Sequence, residues 1–401
     1  MKRVCIVAPD YFPVPAVKGG AVEILIQNIL DENEKEKKLD IVCITKYDKI
    51  AGKLYGNYKH TEFFPIRMIN RNSFLGTLLA VLNYGFKRIF KYDIRLNHRK
   101  SKYEKAIIKA KADVVIFEGE NRIFDMRYTE IVGKNKMVMH LHKTYEPQAE
   151  WEKMFQNFIA ISNYVKNRFV SDGTISKDRV SVVYNGIDIA KFDKKGLPEE
   201  IKSIKERYSI PDNKKIIIYT GRLIEVKGVK ELIEAFKICK NKDNAYLVIC
   251  GGGFSNNNDT SEYIKEIKEL SKGENIVFTG FLDNQELYKY YSMSSFAVFP
   301  SLLEEGFGNV VIEAMLSKNP VIISKRGGMQ ELVSENTGIS VELDAEFVNN
   351  LSKAIDKLLS DDKLRKQLGK NAYTFAKDFS KENYYKNYCS VIKKLCEEKN
   401  G

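Results

Sequence analysis

The chain has little that would cross-link it, embed it or leave it unfolded. Its six cysteines, Cys5, Cys43, Cys239, Cys250, Cys389 and Cys396, form no C-x-x-C pair. Most lie in apolar runs, so they read as free thiols in a reducing cytoplasm rather than a disulfide framework. No Ser, Gln, Pro or Gly tract marks a disordered arm. The longest uncharged stretch, 72–86, carries Asn, Ser, Thr and Gly, whereas a spanning helix needs about 20 mostly apolar residues. The apolar run before Pro9 and Asp10 is too short for a signal-peptide core and reads as a first strand. Two chemical signatures are also missing. No D-x-D triplet offers a divalent cation to a diphosphate, and no G-x-G-x-x-G follows the first strand, which argues against dinucleotide binding.

What is present is a long, folded, basic chain. At 401 residues it exceeds the usual span of one core, and 65 basic against 53 acidic residues give a net charge of +12. That charge is compatible with nucleic acid, anionic lipid or acidic substrates and does not choose among them. Short β-branched runs (RVCIVAP, DIVCIT, DVVIF, KMVMHLH, FIAIS, RVSVVY) alternate with helical segments. After a polar, Lys-rich stretch at 193–215 the alternation restarts with KIIIYTG, AYLVICGGG, NIVFTGF, SFAVFPS and PVIIS. The expectation is α/β: two Rossmann-like domains at 1–190 and 191–375 facing across a cleft, with a helix at 376–401 crossing back to the first. Ligands of such folds bind beyond the carboxyl ends of the strands.

The motifs fall at those ends. In SLLEEGFGNVVIEAM, Glu305 and Glu313 bracket seven residues, with Gly306 and Gly308 where a loop turns into a helix. Backbone N–H groups from Gly308 through Asn309 to Val310 open that helix and suit a phosphate. A carboxylate on the loop accepts from sugar hydroxyls, and one on the helix holds two ribose hydroxyls. In YTGRLIEVKG, Arg222 leaves a strand and Lys227 opens the next helix, so the pair can clamp a diphosphate whose charge grows as it departs. Gly19 and Gly20 precede an amphipathic helix, a second loop able to approach a phosphate or to serve as a mere flexible connection. His140 and His142 lie two apart at a strand end and share a face. Neither His60 nor His98, in unrelated segments, supplies a third ligand, so no metal is expected and one histidine facing the cleft is the better reading.

Together EEGFGNVVIEAM, GRLIEVKG, YNGIDIAKF and GGMQELV, in this chain, resemble retaining GT-B glycosyltransferases of the GT4 family. The resemblance covers almost the whole chain, is strongest over 180–341, and is weak in the first domain, where acceptors bind in this family. It implies that Arg222 and Lys227 bind the donor diphosphate, Glu313 the ribose and Glu305 the transferred sugar, with Phe307 between the motif glycines. Gly308, Asn309 and Val310 would complete the phosphate site. Gly19 and Gly20 would approach the donor, His142 would contact the transferred sugar, and the base would lie near 280–282, at Leu282. The implied reaction retains anomeric configuration by a front-face route in which the departing phosphate takes the acceptor proton. The family usually has Gly before Pro-Val, where this chain has Asn319; Asn319 is expected to supply the left-handed helix ending.

The expected partners are a nucleoside-diphosphate-sugar, with UDP the commonest base, and a glycan, lipid-linked or cell-surface acceptor. No cofactor, metal or nucleic acid is expected. Competing readings are a GT-B-fold nucleotide-sugar epimerase and a non-catalytic polyanion binder; the latter calls for a basic stripe with interleaved aromatics, which the sequence does not display. The segment 72–102 joins an apolar run to a Lys/Arg cluster. It reads equally as a peripheral contact with an anionic membrane or as a core helix followed by a solvated basic one.

Overall fold

In a computed structural model of the chain, the described residues are 1–67, 83, 94–119, 124–253 and 261–397. They form two compact units, Met1–Gly186 with Lys381–Gly401, and Ile187–Ser380. The proposed membrane segment, 72–102, lies largely outside the described residues. Among the described residues no helix is long and apolar enough to cross a membrane.

The first unit is built on seven parallel strands: β1 (Lys2–Val7), β2 (Leu39–Lys46), β3 (Thr61–Ile66), β4 (Val114–Glu118), β5 (Met137–Leu141), β6 (Asn157–Ala160) and β7 (Val180–Val182). Their order is β3-β2-β1-β4-β5-β6-β7, which reverses direction between β1 and β4. The central strands are unbroken apolar runs because helices cover both faces of a parallel sheet. Val4, Ile6, Ile41, Cys43, Val114 and Ile116 are buried against Leu25, Ile26, Ile29 and Leu30 of the helix Ala21–Glu36. The helix Lys381–Glu397 joins this same core through Tyr384, Tyr385, Tyr388 and Ile392. Buried Asn33 ties the pieces together. Its amide donates to Leu39 O and accepts from Leu39 N, both at 3.0 Å, and its Oδ1 also accepts the Tyr385 hydroxyl.

β3 is absent from the runs the sequence suggests, and its composition explains why. It carries Pro65, pairs among the described residues with β2 alone and is half exposed, all consistent with an edge strand.

The second unit has six parallel strands: β8 (Lys215–Thr220), β9 (Ala245–Cys250), β10 (Ile276–Gly280), β11 (Phe296–Phe299), β12 (Val321–Ser324) and β13 (Gly338–Val341). The order is β10-β9-β8-β11-β12-β13, so the neighbours β8 and β11 flank the point where strand order reverses. Ile217, Leu247, Ile249, Val298 and Ile322 pack against Leu232, Ile233 and Phe236 of the helix Val229–Lys237 and Leu351, Ile355 and Leu358 of the helix Phe347–Ser360. All six cysteines are free; Cys389 is half-buried and the other five are buried.

Candidate functional site

Doubly wound sheets leave a crevice where two neighbouring strands send their loops to opposite sides, and in the second unit those strands are β8 and β11. The loop after β8 carries Arg222, exposed, and Lys227, whose side chain keeps 17% of its exposure. Lys227 ends a 3₁₀ turn, Glu225–Lys227, two positions before Val229, the first residue of the helix that the sequence expected it to open. Gly228 separates them with φ of 70°, and a Cβ there would stand 2.0 Å from Pro300 O. The two loops therefore touch backbone to backbone, and only glycine permits it. Val226 O accepts Leu302 N at 2.9 Å and Leu303 N at 3.1 Å, fastening the β8 loop to the β11 loop.

Glu305 lies on the β11 loop, and its Oε1 takes both the Lys227 ammonium and, at 3.0 Å, the Ser301 hydroxyl. Its backbone is held from the other side by the glycines of GGMQELV. Gly328 N donates to Glu305 O at 2.6 Å, and a Cβ on Gly327 would fall 2.6 Å from Glu305 N and O. Phe307 is buried, its ring against Phe379, which anchors the loop between Gly306 and Gly308. Gly308, with φ of 111°, starts the helix Asn309–Leu316, so Asn309 and Val310 supply its first N–H groups. Four residues into that helix Glu313 is half-buried. Burial pushes its carboxyl up to about 7, opposed by the Lys191 ammonium. Leu282 follows β10 and is half-buried beside exposed Phe281.

The expectation for Asn319 requires correction. The left-handed residue after the helix is Lys318, at φ of 62°. Asn319 is buried instead, donating to Tyr291 O at 2.8 Å and accepting from Ser294 Oγ at 3.1 Å. A side chain satisfied inside the protein has no need of the backbone freedom that Asn offers.

In the first unit, Gly19 and Gly20 have φ of 74° and 98°, and Gly20 caps the helix Ala21–Glu36. The space a Cβ on Gly20 would take is filled by the Glu23 carboxylate, 2.1 Å away, which is buried over the helix start. Burial raises its pKa above the ordinary value.

His142, one residue past β5, and His140 within it meet at Glu118, the last residue of β4. Glu118 Oε2 lies 2.9 Å from His140 Nδ1 and 2.6 Å from His142 Nε2. Glu118 and His140 are fully buried and His142 nearly so. Burial pushes the Glu118 carboxyl up, but the two imidazoles, His140 foremost, outweigh it and hold it at about 2. Burial and the neighbouring His140 draw His142 down to about 4 against the pull of Glu118. The sequence reading missed Glu118. The only signal was an acidic residue closing an apolar strand.

This trio is the His/Cys/Asp/Glu cluster, among the described residues, whose ligand atoms converge, all within 4.8 Å. A cation on the converging atoms would push the ring protons onto His140 Nε2 and His142 Nδ1, which are buried without partners. Metal-bound imidazoles keep that second N–H hydrogen-bonded, so the set fits a metal poorly. It suits an ionised carboxylate that accepts one N–H from each ring, leaving the far nitrogens as lone pairs.

Residues 200–375 match the family model for glycosyl transferases group 1. Over 214 residues the chain is 33% identical to the N-acetylgalactosamine-N,N'-diacetylbacillosaminyl-diphospho-undecaprenol 4-alpha-N-acetylgalactosaminyltransferase of Campylobacter jejuni, 53% of each chain. The chain thus spans about half the length of that curated relative. A glycosyltransferase from Rickettsia africae superposes over 98% of both chains with a TM-score of 0.76 at 20% identity. The Anabaena protein HepE in complex with UDP and glucose does so with a TM-score of 0.67 at 18% identity, covering 98% of this chain and 100% of its own.

Proposed function

We propose, from the match of residues 200–375 to the glycosyl transferases group 1 model on a chain with the GT-B fold, that the protein is a retaining hexosyltransferase. It takes its sugar from a nucleoside-diphosphate-sugar, with UDP as the base, and passes it to a glycan or lipid-linked acceptor. The observation that carries this reading is the junction of the β8 and β11 loops, where Lys227 and Glu305 meet at the strand-order reversal. The UDP bound by HepE and the diphospho-undecaprenol in the Campylobacter enzyme's name support the donor and acceptor classes.

In this reading Arg222, Lys227 and the N–H groups of Asn309 and Val310 take the diphosphate. Fixed positive charge there gains most when the leaving group becomes more negative, so it stabilises the transition state beyond the ground state. Glu313 accepts from the two ribose hydroxyls, and Glu305 from hydroxyls of the transferred sugar. No carboxylate attacks the anomeric carbon. The departing phosphate accepts the acceptor's proton on the same face, so configuration is retained. Arg222 and Lys227 do the charge-neutralising work without a metal. His142, kept neutral by burial and held by Glu118, supplies no proton in this reading.

The test is ligand protection. Melting temperature is followed with UDP, GDP, ADP, dTDP and a single-stranded oligonucleotide, each with and without EDTA. Stabilisation by one nucleoside diphosphate that survives EDTA is expected. Stabilisation by the oligonucleotide alone, with steep salt dependence, would instead favour a polyanion binder.

A further inference from the structure

We infer that Glu305 competes with the donor's phosphate for Lys227, and that this competition lets the site distinguish a nucleotide sugar from the bare nucleoside diphosphate it leaves behind. The inference rests on the donor site proposed above.

In the unliganded protein the Lys227 ammonium is already engaged by Glu305 Oε1. Neither group is free to drift away. Lys227 is fixed by the turn bond from its N to Ile224 O at 2.9 Å and by the stitching of Val226 to the β11 loop, while Gly327 and Gly328 clamp Glu305. Both side chains are largely shielded from solvent, at 17% and 21% exposure, so their attraction is screened less than that of a surface pair. A Lys has three donors on one flexible stem and can turn from a carboxylate to a phosphate with no backbone movement.

When Lys227 turns to a phosphate, Glu305 Oε1 keeps the Ser301 hydroxyl but loses that cation. A half-buried carboxylate stripped of its cation is destabilising unless new donors replace it. A transferred sugar supplies them through its hydroxyls. A nucleoside diphosphate without sugar does not. The product therefore holds Lys227 only against the pull of Glu305, and its departure restores the pair. Glu305 is thus a specificity determinant that favours donor over product, in addition to its contact with sugar.

The experiment compares Kd values for UDP and for the accepted UDP-sugar in wild type, Glu305→Gln, Lys227→Met and the double variant, with melting temperatures checking that each is folded. Glu305→Gln is expected to bind UDP roughly tenfold more tightly, the scale of one charged hydrogen bond, and the UDP-sugar no more tightly than wild type. The gain for UDP is expected to vanish when Lys227 is Met, because the cycle isolates that pair. UDP affinity unchanged by Glu305→Gln, or a gain that persists in the double variant, would overturn the inference while leaving the donor site intact. Wild-type protein that binds neither ligand would instead remove the donor site itself.

Discussion

Glu313 offers a sharp test of the ribose assignment, because burial holds its carboxyl near neutrality at about 7. The ionised form offers one acceptor oxygen to each ribose hydroxyl, whereas the neutral form turns one oxygen into a donor, so donor binding expels a proton wherever the unliganded protein carries one. With the carboxyl at about 7, roughly a tenth of molecules are protonated at pH 8 and roughly nine-tenths at pH 6. The apparent Kd for a UDP-sugar should then weaken about tenfold between those pH values, the fraction of competent protein setting the loss. The sugar ester matters, since it blocks the terminal phosphate that would titrate in UDP itself. Isothermal titration across this range, on wild type and Glu313→Gln, reads the effect. The Gln variant should bind weakly and with little pH dependence. The unliganded protein supplies a second readout of the opposite sign. A carboxyl raised in the folded state contributes stability that is complete below its ordinary value of 4.5 and is lost as pH rises through about 7. Glu313→Gln should therefore melt above wild type at pH 8 and level with it at pH 4, the gap at most about 3 kcal/mol and reduced by the side chain's partial exposure. Donor affinity that ignores pH in wild type, or falls as steeply in the Gln variant, would take Glu313 off the ribose.

Three further expectations concern the framework. Gly228→Ala forces a Cβ to within 2.0 Å of Pro300 O at a positive φ, so chemical denaturation should show a loss of at least about 2 kcal/mol together with weaker nucleotide binding. His142, lowered from 6.5 to about 4, contributes stability that is present above pH 6.5 and drains as pH falls toward 4. His142→Gln should flatten the melting-temperature profile over that interval and leave it unchanged in shape above pH 7. Glu118→Ala leaves two imidazole N–H groups buried without an acceptor and should destabilise the protein by about 2 kcal/mol or more, measured by urea denaturation at pH 7.5.

The fold was legible where sequence and physics agree most closely. Strands such as Cys5–Val7 and Ile216–Ile218 are buried on both faces and so spell themselves out as apolar runs. β3 and β13 escaped notice because neither is an unbroken apolar run. β3 contains Pro65, and β13 is four residues long and opens on Gly338. The candidate site was legible as residue types at strand ends, since Arg222, Lys227, Glu305 and Glu313 follow β8 and β11. The pairings were not. Lys227 and Glu305 stand 78 residues apart, and nothing local in either stretch says that one neutralises the other. Glu118 escaped for the same reason, its partners lying on the next strand. Asn319 shows the opposite error, a local conformational preference overridden by side-chain hydrogen bonds available only in the folded unit.

Cleavage of a nucleotide sugar at the β8–β11 junction is read by nucleoside diphosphate release from UDP-, GDP-, ADP- and dTDP-sugars, with EDTA present and with Lys227→Ala and Glu313→Ala alongside. EDTA-resistant release from one donor is expected, slow with water as acceptor and lost in both variants. Release that EDTA abolishes, or that both variants retain, would rule out a metal-free donor site built on Lys227 and Glu313.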